Sequence, residues 1–202
     1  MYIPRQFESP DRAFTLEVMR GYSFATIFSN DENGAAIASH VPVFVEDGAT
    51  LTLHFHLARA NPHVQALRAN AHALIAFLGP HAYMSPSVYP DLKRVPTWNY
   101  IAVHASGPIK ELEGDAAKDA LLKSLISDHE PPYAEQWHGL DADFQHSLLN
   151  AIAAFRMDVS QLESKFKLNQ HRKEAHAAMK ATYAQGSQNE KELARWMERL
   201  GL

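Results

Sequence analysis

Three groups of residues in this 202-residue chain combine side-chain type and spacing in ways that chemistry uses. The first is Arg59, two positions before Asn61-Pro62. Asparagine followed by proline pairs a helix N-cap with a first-turn proline, so a helix is predicted to open there. Unpaired amides and the positive end of a helix dipole suit a phosphate, and a guanidinium adds charge-assisted, potentially bidentate bonds. The competing reading is an arginine that is merely solvated. The second group is Thr52, His54 and His56, which alternate along one strand face opposite Leu51, Leu53, Phe55 and Leu57. Two imidazoles are too few for a transition-metal site, and no other His or carboxylate completes a set, so no metal is expected. The third is Lys165-Phe166-Lys167-Leu168-Asn169-Gln170-His171-Arg172, the one concentrated basic segment. It reads either as a solvated strand end or as a lid over an anionic cofactor, and it is too small to imply DNA binding alone.

A fourth feature is a shape rather than a reagent. From Ala82 to Tyr100 the chain sets prolines 86, 90 and 96 and aromatics 83, 89, 98 and 100 among Ser85, Ser87, Thr97 and Asn99, with a short basic spacer between. Prolines lack the donor that a central strand needs and restrict the residues before them, so a rigid loop is predicted, either ligand wall or plain connector. His104, flanked by small apolar residues in mid-strand, reads as a core or interface histidine. Serines 85, 87 and 106 lack the Gly-flanked nucleophile elbow, and neither a Walker loop nor a dinucleotide glycine fingerprint occurs. No residue reads as a proton donor or nucleophile, so no catalytic residue is assigned.

The elements that must position these groups follow from periodicity and punctuation. A helix is predicted from Ser9-Pro10-Asp11 to Gly21, then strands over 22–29, 35–45 and 50–57 joined by Asn-Gly and Asp-Gly turn chemistry. A helix from Asn61 to Asn70 precedes a buried strand over 73–78. After the Pro-rich loop come a long strand (100–112), helices over 115–128 and 141–150, and a strand over 152–159. The tail is one or two amphipathic helices broken near Gly186-Ser187. Mostly consecutive strands with helices between and after them indicate an α+β domain on an antiparallel sheet or small barrel. Two segments are expected, a domain over 1–172 and a helical C-terminal extension over 173–202.

Composition bounds the function. The chain is 46% hydrophobic, carries a formal net charge of −4 at pH 7 and has no cysteine. Thiolate chemistry is excluded, and whole-chain electrostatics favour neither nucleic acid nor a membrane surface. No apolar run resembles a signal peptide or membrane span, so a cytoplasmic protein is expected.

Taken together the motifs resemble the PaiB-type FMN-binding negative transcriptional regulators, whose domain is a split antiparallel β-barrel related to pyridoxamine-phosphate oxidases. The landmarks are Met1-Tyr2-Ile3-Pro4 with Phe7, His40-Val41-Pro42, and His56 to Pro62. They continue through Gly79-Pro80 with Ala82-Tyr83 and Ser85-Pro86-Ser87, Val95 to Tyr100 with His104 and Gly107, and Lys165 with Lys167 and Arg172. Val88 stands where the family usually has tryptophan, and Asn169-Gln170-His171 where it usually has serine-glutamine-asparagine. The resemblance implies a homodimer with FMN at the subunit interface and its phosphate near the loop after the third strand. His40, Val41, His56, Leu57, Ala58, Arg59, Ala60 and Asn61 would line one side. Thr97, Trp98 and Asn99 would approach from the partner chain, and Lys167 and Arg172 would close over the cofactor. The implied function is a regulator of transcription or a flavin-dependent sensor. The alternative is a flavin-dependent oxidoreductase acting on a small molecule, and a haem-binding split barrel ranks third. Direct DNA contact has little physical support at this net charge without a recognition helix.

Overall fold

The computed structural model describes residues 1–202. Eight strands, β1 (Phe24–Asn30), β2 (Ala36–Pro42), β3 (Phe44–Asp47), β4 (Leu51–Ala58), β5 (His72–Met84), β6 (Thr97–Leu112), β7 (Ile152–Asp158) and β8 (Gln161–Lys167), build one antiparallel sheet. Their hydrogen-bonded order is β2-β1-β5-β6-β7-β4-β3, with β8 on β6. Seven helices accompany them: α1 (Arg12–Gly21), α2 (His63–Ala69), α3 (Asp115–His129), α4 (Tyr133–Gly139), α5 (Ala142–Asn150), α6 (His176–Ala184) and α7 (Gln188–Arg199). The architecture is α+β, and no helix is long and apolar enough to cross a membrane.

By internal contacts the chain divides into two units, and β5 and β6 each contribute to both. One unit comprises residues 22–77 and 104–162. Its β1–β2 hairpin is closed by Asp31, whose carboxylate accepts the amides of Asn33 (2.8 Å) and Ala35 (2.9 Å), with Gly34 at φ +80°. Phe55 and Phe155 stack at 5.5 Å in a core shared with Ile27, Leu53, Ile75 and Met157. The last carbonyls of α5 meet two cations. The buried Lys118 donates to Leu149 O at 2.9 Å, and Arg59 donates to Asn150 O at 2.5 Å and, just beyond the helix, to Ile152 O at 3.0 Å. Cations at the negative end of a helix dipole are favourable, so both residues serve this fold.

The other unit comprises residues 1–21, 78–103 and 163–202. The tail helices belong to its core: Met179, Tyr183, Leu193 and Met197 have no exposed surface. Trp196 meets Phe14 and Phe166 edge-on at 5.6 and 5.4 Å. Arg199 covers the Trp196 ring at 4.3 Å and grips Glu17 with two hydrogen bonds of 2.6 and 2.7 Å. The break predicted at Gly186-Ser187 is present, and a capping box of Ser187 with Glu190 opens α7 there.

Several predicted boundaries move for identifiable reasons. Ala82 to Met84 and Thr97 to Tyr100 are strand, not loop, because alternation of buried and exposed positions carries β5 past Pro80 and starts β6 at Thr97. The stretch predicted over 35–45 is two strands interrupted at Val43, whose amide donates to Ser23 O at 2.9 Å. Helix α4 starts directly after Pro131-Pro132, a pair that fits a first turn. Strand β8 was hidden by its charges. Lys165 buries its stem, donates to Tyr2 O at 3.1 Å and covers the rings of Tyr2 and Tyr100.

Candidate functional site

The loop from residue 85 to 96 is short and internally braced. Ser85 Oγ accepts the Ser87 amide at 3.2 Å, giving a single 3₁₀ turn over Pro86–Val88. Tyr89 follows, and the Arg94 guanidinium lies over its ring at 5.3 Å while pairing with Asp91 at 2.8 Å and Glu174 at 3.5 Å. On the other side β8 ends at Lys167, where the chain turns through Asn169 in the left-handed conformation, φ 57°. Asparagine tolerates that conformation, and three bonds hold it: Asn169 Nδ2 donates to Tyr89 Oη at 3.4 Å, His176 Nε2 pairs with the Asn169 carbonyl at 2.9 Å, and Arg172 N donates to the same carbonyl at 2.8 Å.

Together these segments enclose a cavity of about 400 Å³ lined by Gln6, Phe7, Tyr89, Lys93, Arg94, Val95, Thr97, Lys167, Asn169, His171 and Arg172. Its lining carries four cationic side chains, Lys93, Arg94, Lys167 and Arg172, and no carboxylate. Lys167 Nζ donates to Thr97 Oγ1 at 2.5 Å and Trp98 O at 2.6 Å, both neutral acceptors. Burial, then repulsion from Lys165, hold its pKa below the ordinary lysine value. His171, edge-on to Phe7 at 5.8 Å, is held low by burial and then by Arg172.

The predicted residues of β6 divide by burial. Thr97 lines the cavity, and its neighbour Trp98 is half exposed, with the rings of His81 and Tyr83 at 6.1 and 6.4 Å. Asn99, expected to reach the cofactor, has no exposed surface. It lies beside Tyr183, whose phenol burial pushes far above its ordinary value while Asn99 acts in the opposite sense. The Asn99 amide and the Tyr183 hydroxyl make no hydrogen bond of regular geometry.

The stretch after β4 also departs from expectation. Arg59 is exposed but its guanidinium is committed to the carbonyls at the end of α5. The Asn61 side chain takes the His63 amide at 2.9 Å, and the Val64 and Gln65 amides are taken by the carbonyls of Asn61 and Pro62. In this conformation the anion site expected at this helix start is not assembled: its backbone amides have acceptors, and the Arg59 Nε and Nη2 groups are turned to carbonyls. Ala58 and Ala60 are exposed and Leu57 is buried. His56 is half-buried, with Nδ1 enclosed and without a partner, and burial holds its pKa down. His40 is exposed, pairs with Thr26 Oγ1 at 2.9 Å and stacks on Phe24, while Val41 is buried beside it in sequence. His54 pairs with Glu46 at 3.0 Å, and no group of three His, Asp or Glu is gathered for a metal.

Of the predicted set, the cavity unites Thr97, Lys167 and Arg172. Sequence reasoning missed Tyr89, Lys93, Arg94 and His171 as fellow lining residues. The signal was present in the basic spacer before Val95 and in the long basic segment, but the turn at Asn169 that joins them was not visible.

His63 was also missed. It is fully buried between Ser39 Oγ (Nδ1, 2.9 Å) and Ser29 Oγ (Nε2, 2.9 Å), and burial lowers its pKa. With the folded-state pKa depressed, the contribution of the neutral ring is whole above the unfolded value of about 6.5 and is lost as pH falls from there through the folded-state value. Thermal midpoints are expected to fall between pH 7.5 and 5, by about 2–4 °C per kcal/mol lost, and His63→Gln should flatten that slope. An unchanged slope would remove the assignment.

Known proteins with related sequences and folds point one way. Residues 1–161 match the family described as "Putative FMN-binding domain". The chain is 32% identical over 206 residues to "Protease synthase and sporulation protein PAI 2" of Bacillus subtilis, covering 98% of this chain and 97% of that protein. Among solved structures it is similar to a conserved hypothetical protein, Rv2991, of Mycobacterium tuberculosis (TM-score 0.61, 11% identity, 85% of this chain and 92% of that one). It is also similar to an FAD and haem binding protein of Mycobacterium smegmatis (TM-score 0.58, 16% identity, 79% and 73%). These two likenesses concern the fold. With the antiparallel sheet they make it a split β-barrel. On the family match and the full-length identity, this chain belongs to the PaiB-type family of FMN-binding split-barrel proteins, with FMN as its cofactor.

Proposed function

We propose that the protein is a homodimeric regulator of gene expression that works through bound FMN. The observation that carries the cofactor half is the adjacency of Thr97 and Trp98. One residue lines a cavity rich in cations, and the next presents a large flat ring to solvent. This donor set fits FMN: Lys167, Arg172 and the Thr97 hydroxyl suit a phosphate, and the indole suits an isoalloxazine face. Bound FMN supplies one- and two-electron redox chemistry. The chain's own residues bind and orient. Thr97 and Trp98 of one copy would form one wall, with Lys167 and Arg172 closing over it. His40, Val41 and the stretch from His56 to Asn61 of the other copy would form the second.

Support for a second copy comes from Leu78, Tyr83 and Trp98, each exposing half or more of its surface on β5 or β6. The rings of Tyr83 and Trp98 lie 6.4 Å apart, so their exposed surfaces adjoin, and adjoining exposed apolar groups mark interaction surfaces. Support for regulation comes from the Bacillus subtilis protein, whose name concerns protease synthesis and sporulation and which matches this chain from end to end, C-terminal helices included.

FMN fluorescence titrations test the cofactor geometry. Lys167→Ala is expected to weaken FMN about tenfold, the loss of one charge-assisted contact. Unchanged affinity would remove Lys167 from the site. Light scattering should return twice the 22.6 kDa chain mass. Transcript profiles of a Lys167→Ala strain should follow those of a deletion strain, and a wild-type profile would overturn the regulatory reading.

A further inference from the structure

The cavity holds more cationic groups than the FMN reading uses. Lys93 and Arg94 come from the loop before β6, Lys167 from the end of β8 and Arg172 from the turn after it. The carboxylates paired with them are Asp91 and Glu174, both on Arg94. Lys93, Lys167 and Arg172 have no carboxylate partner, and Arg94 Nε is buried without an acceptor. Four cations against two carboxylates leave an excess of two positive charges, which matches one phosphate monoester near neutral pH. The remaining wall is organic in character, with the rings of Phe7, Tyr89 and His171 beside Val95. A volume of about 400 Å³ is that of a site for a whole small molecule, not a lone ion.

We propose that this cavity is a phosphomonoester site in which Arg94 and Arg172 bind the phosphate and the rings of Phe7 and Tyr89 receive the organic part. Arg94 is held in place for this without being saturated. Its guanidinium rests on the Tyr89 ring, and the Tyr89 hydroxyl is tied to the left-handed Asn169. A planar fork so oriented can give two parallel bonds to phosphate oxygens. The inference rests in part on the FMN reading, because the phosphate belongs either to FMN itself or to a second phosphorylated molecule.

Calorimetric titration with phenyl phosphate, on flavin-free and FMN-saturated protein, tests the site, alongside FMN and riboflavin titrations. Phenyl phosphate should bind the flavin-free protein and phenol should not. Arg94→Ala and Arg172→Ala should each lower its affinity at least about tenfold, with Arg94→Lys intermediate and thermal midpoints nearly unchanged. If saturating FMN abolishes that binding and Arg94→Ala weakens FMN but not riboflavin, the phosphate is the flavin's own. If FMN-loaded protein still binds phenyl phosphate, a second phosphorylated ligand uses the site. The proposal is overturned if phenyl phosphate binds no better than phenol and the FMN-to-riboflavin affinity ratio is the same in wild type and both alanine variants. Protein that binds phenyl phosphate but no flavin keeps this site and loses the FMN reading.

Discussion

Deletion of residues 187–202 is expected to remove about 5 kcal/mol or more of stability, a loss comparable with the whole stability of a typical domain. Helix α7 contributes Leu193, Trp196 and Met197, all nearly or fully buried, and each such side chain is worth about 1.5–3 kcal/mol of burial. Its removal also uncovers Phe14 and Phe166 and frees Glu17 from Arg199. The ordering entropy regained by the shortened chain offsets part of this, which is why the estimate sits at the low end of the burial sum. Urea denaturation followed by far-UV circular dichroism is the measurement, with the single change Trp196→Ala, expected to cost about 3–5 kcal/mol, as a check on mechanism. A truncated protein with an unchanged urea midpoint would show that the tail is an appendage. FMN affinity should fall with the truncation, because α6 carries His176, which holds the turn leading to Arg172.

The second large effect is expected at Gly107. A β-carbon there would lie 2.0 Å from the Asp158 carbonyl oxygen, 3.0 Å from its carbon and 3.1 Å from Ser160 N. All three are backbone atoms, so no side-chain rotation relieves the overlap. The chain around Gly107 must move away from the turn after β7, breaking the bonds that Ser160 N and Oγ donate to Ser106 O at 2.9 and 3.1 Å. Gly107→Ala is expected to cost about 3 kcal/mol or more, lowering the thermal midpoint by roughly 6–12 °C. Gly139→Ala is the control, since a β-carbon there has nothing within 4 Å. If both variants melt with wild type, the close approach at Gly107 has no energetic content.

Most of the fold was legible because its signals are local. Alternating apolar residues set β1, β4 and β7, Asp11 and Asp141 cap α1 and α5, and the break between α6 and α7 announces itself as Gly-Ser. The misses came where a long-range contact changed the meaning of a residue. Lys165 and Lys167 look solvated in sequence yet lie against Tyr2, Tyr100 and Thr97, so β8 was read as a charged end. The same limit governed the site. Arg59 stands two residues before an Asn-Pro pair, and nothing nearby in sequence reveals that carbonyls some ninety residues later accept its donors. Thr97, Lys167 and Arg172 were reached by family resemblance, whereas Lys93 and Arg94 were visible only as a basic spacer. By strand parity Asn99 shares the face of Thr97, but it has no exposed surface and lies beside Tyr183 of the tail, a contact that no local signal reveals.

That parity has a consequence for how β6 can vary among relatives. Thr97 faces the cavity, Trp98 faces solvent, Asn99 faces the interior, and Gly107 sits where only a hydrogen fits. One residue inserted or lost between Asn99 and Gly107 would turn every following side chain to the opposite face and offer a new residue to the Asp158 carbonyl. The spacing from the Thr-Trp-Asn triplet to the glycine is therefore expected to stay constant across the family while the residues between them drift. Length variation belongs in the loop before Thr97, where extra residues change no register.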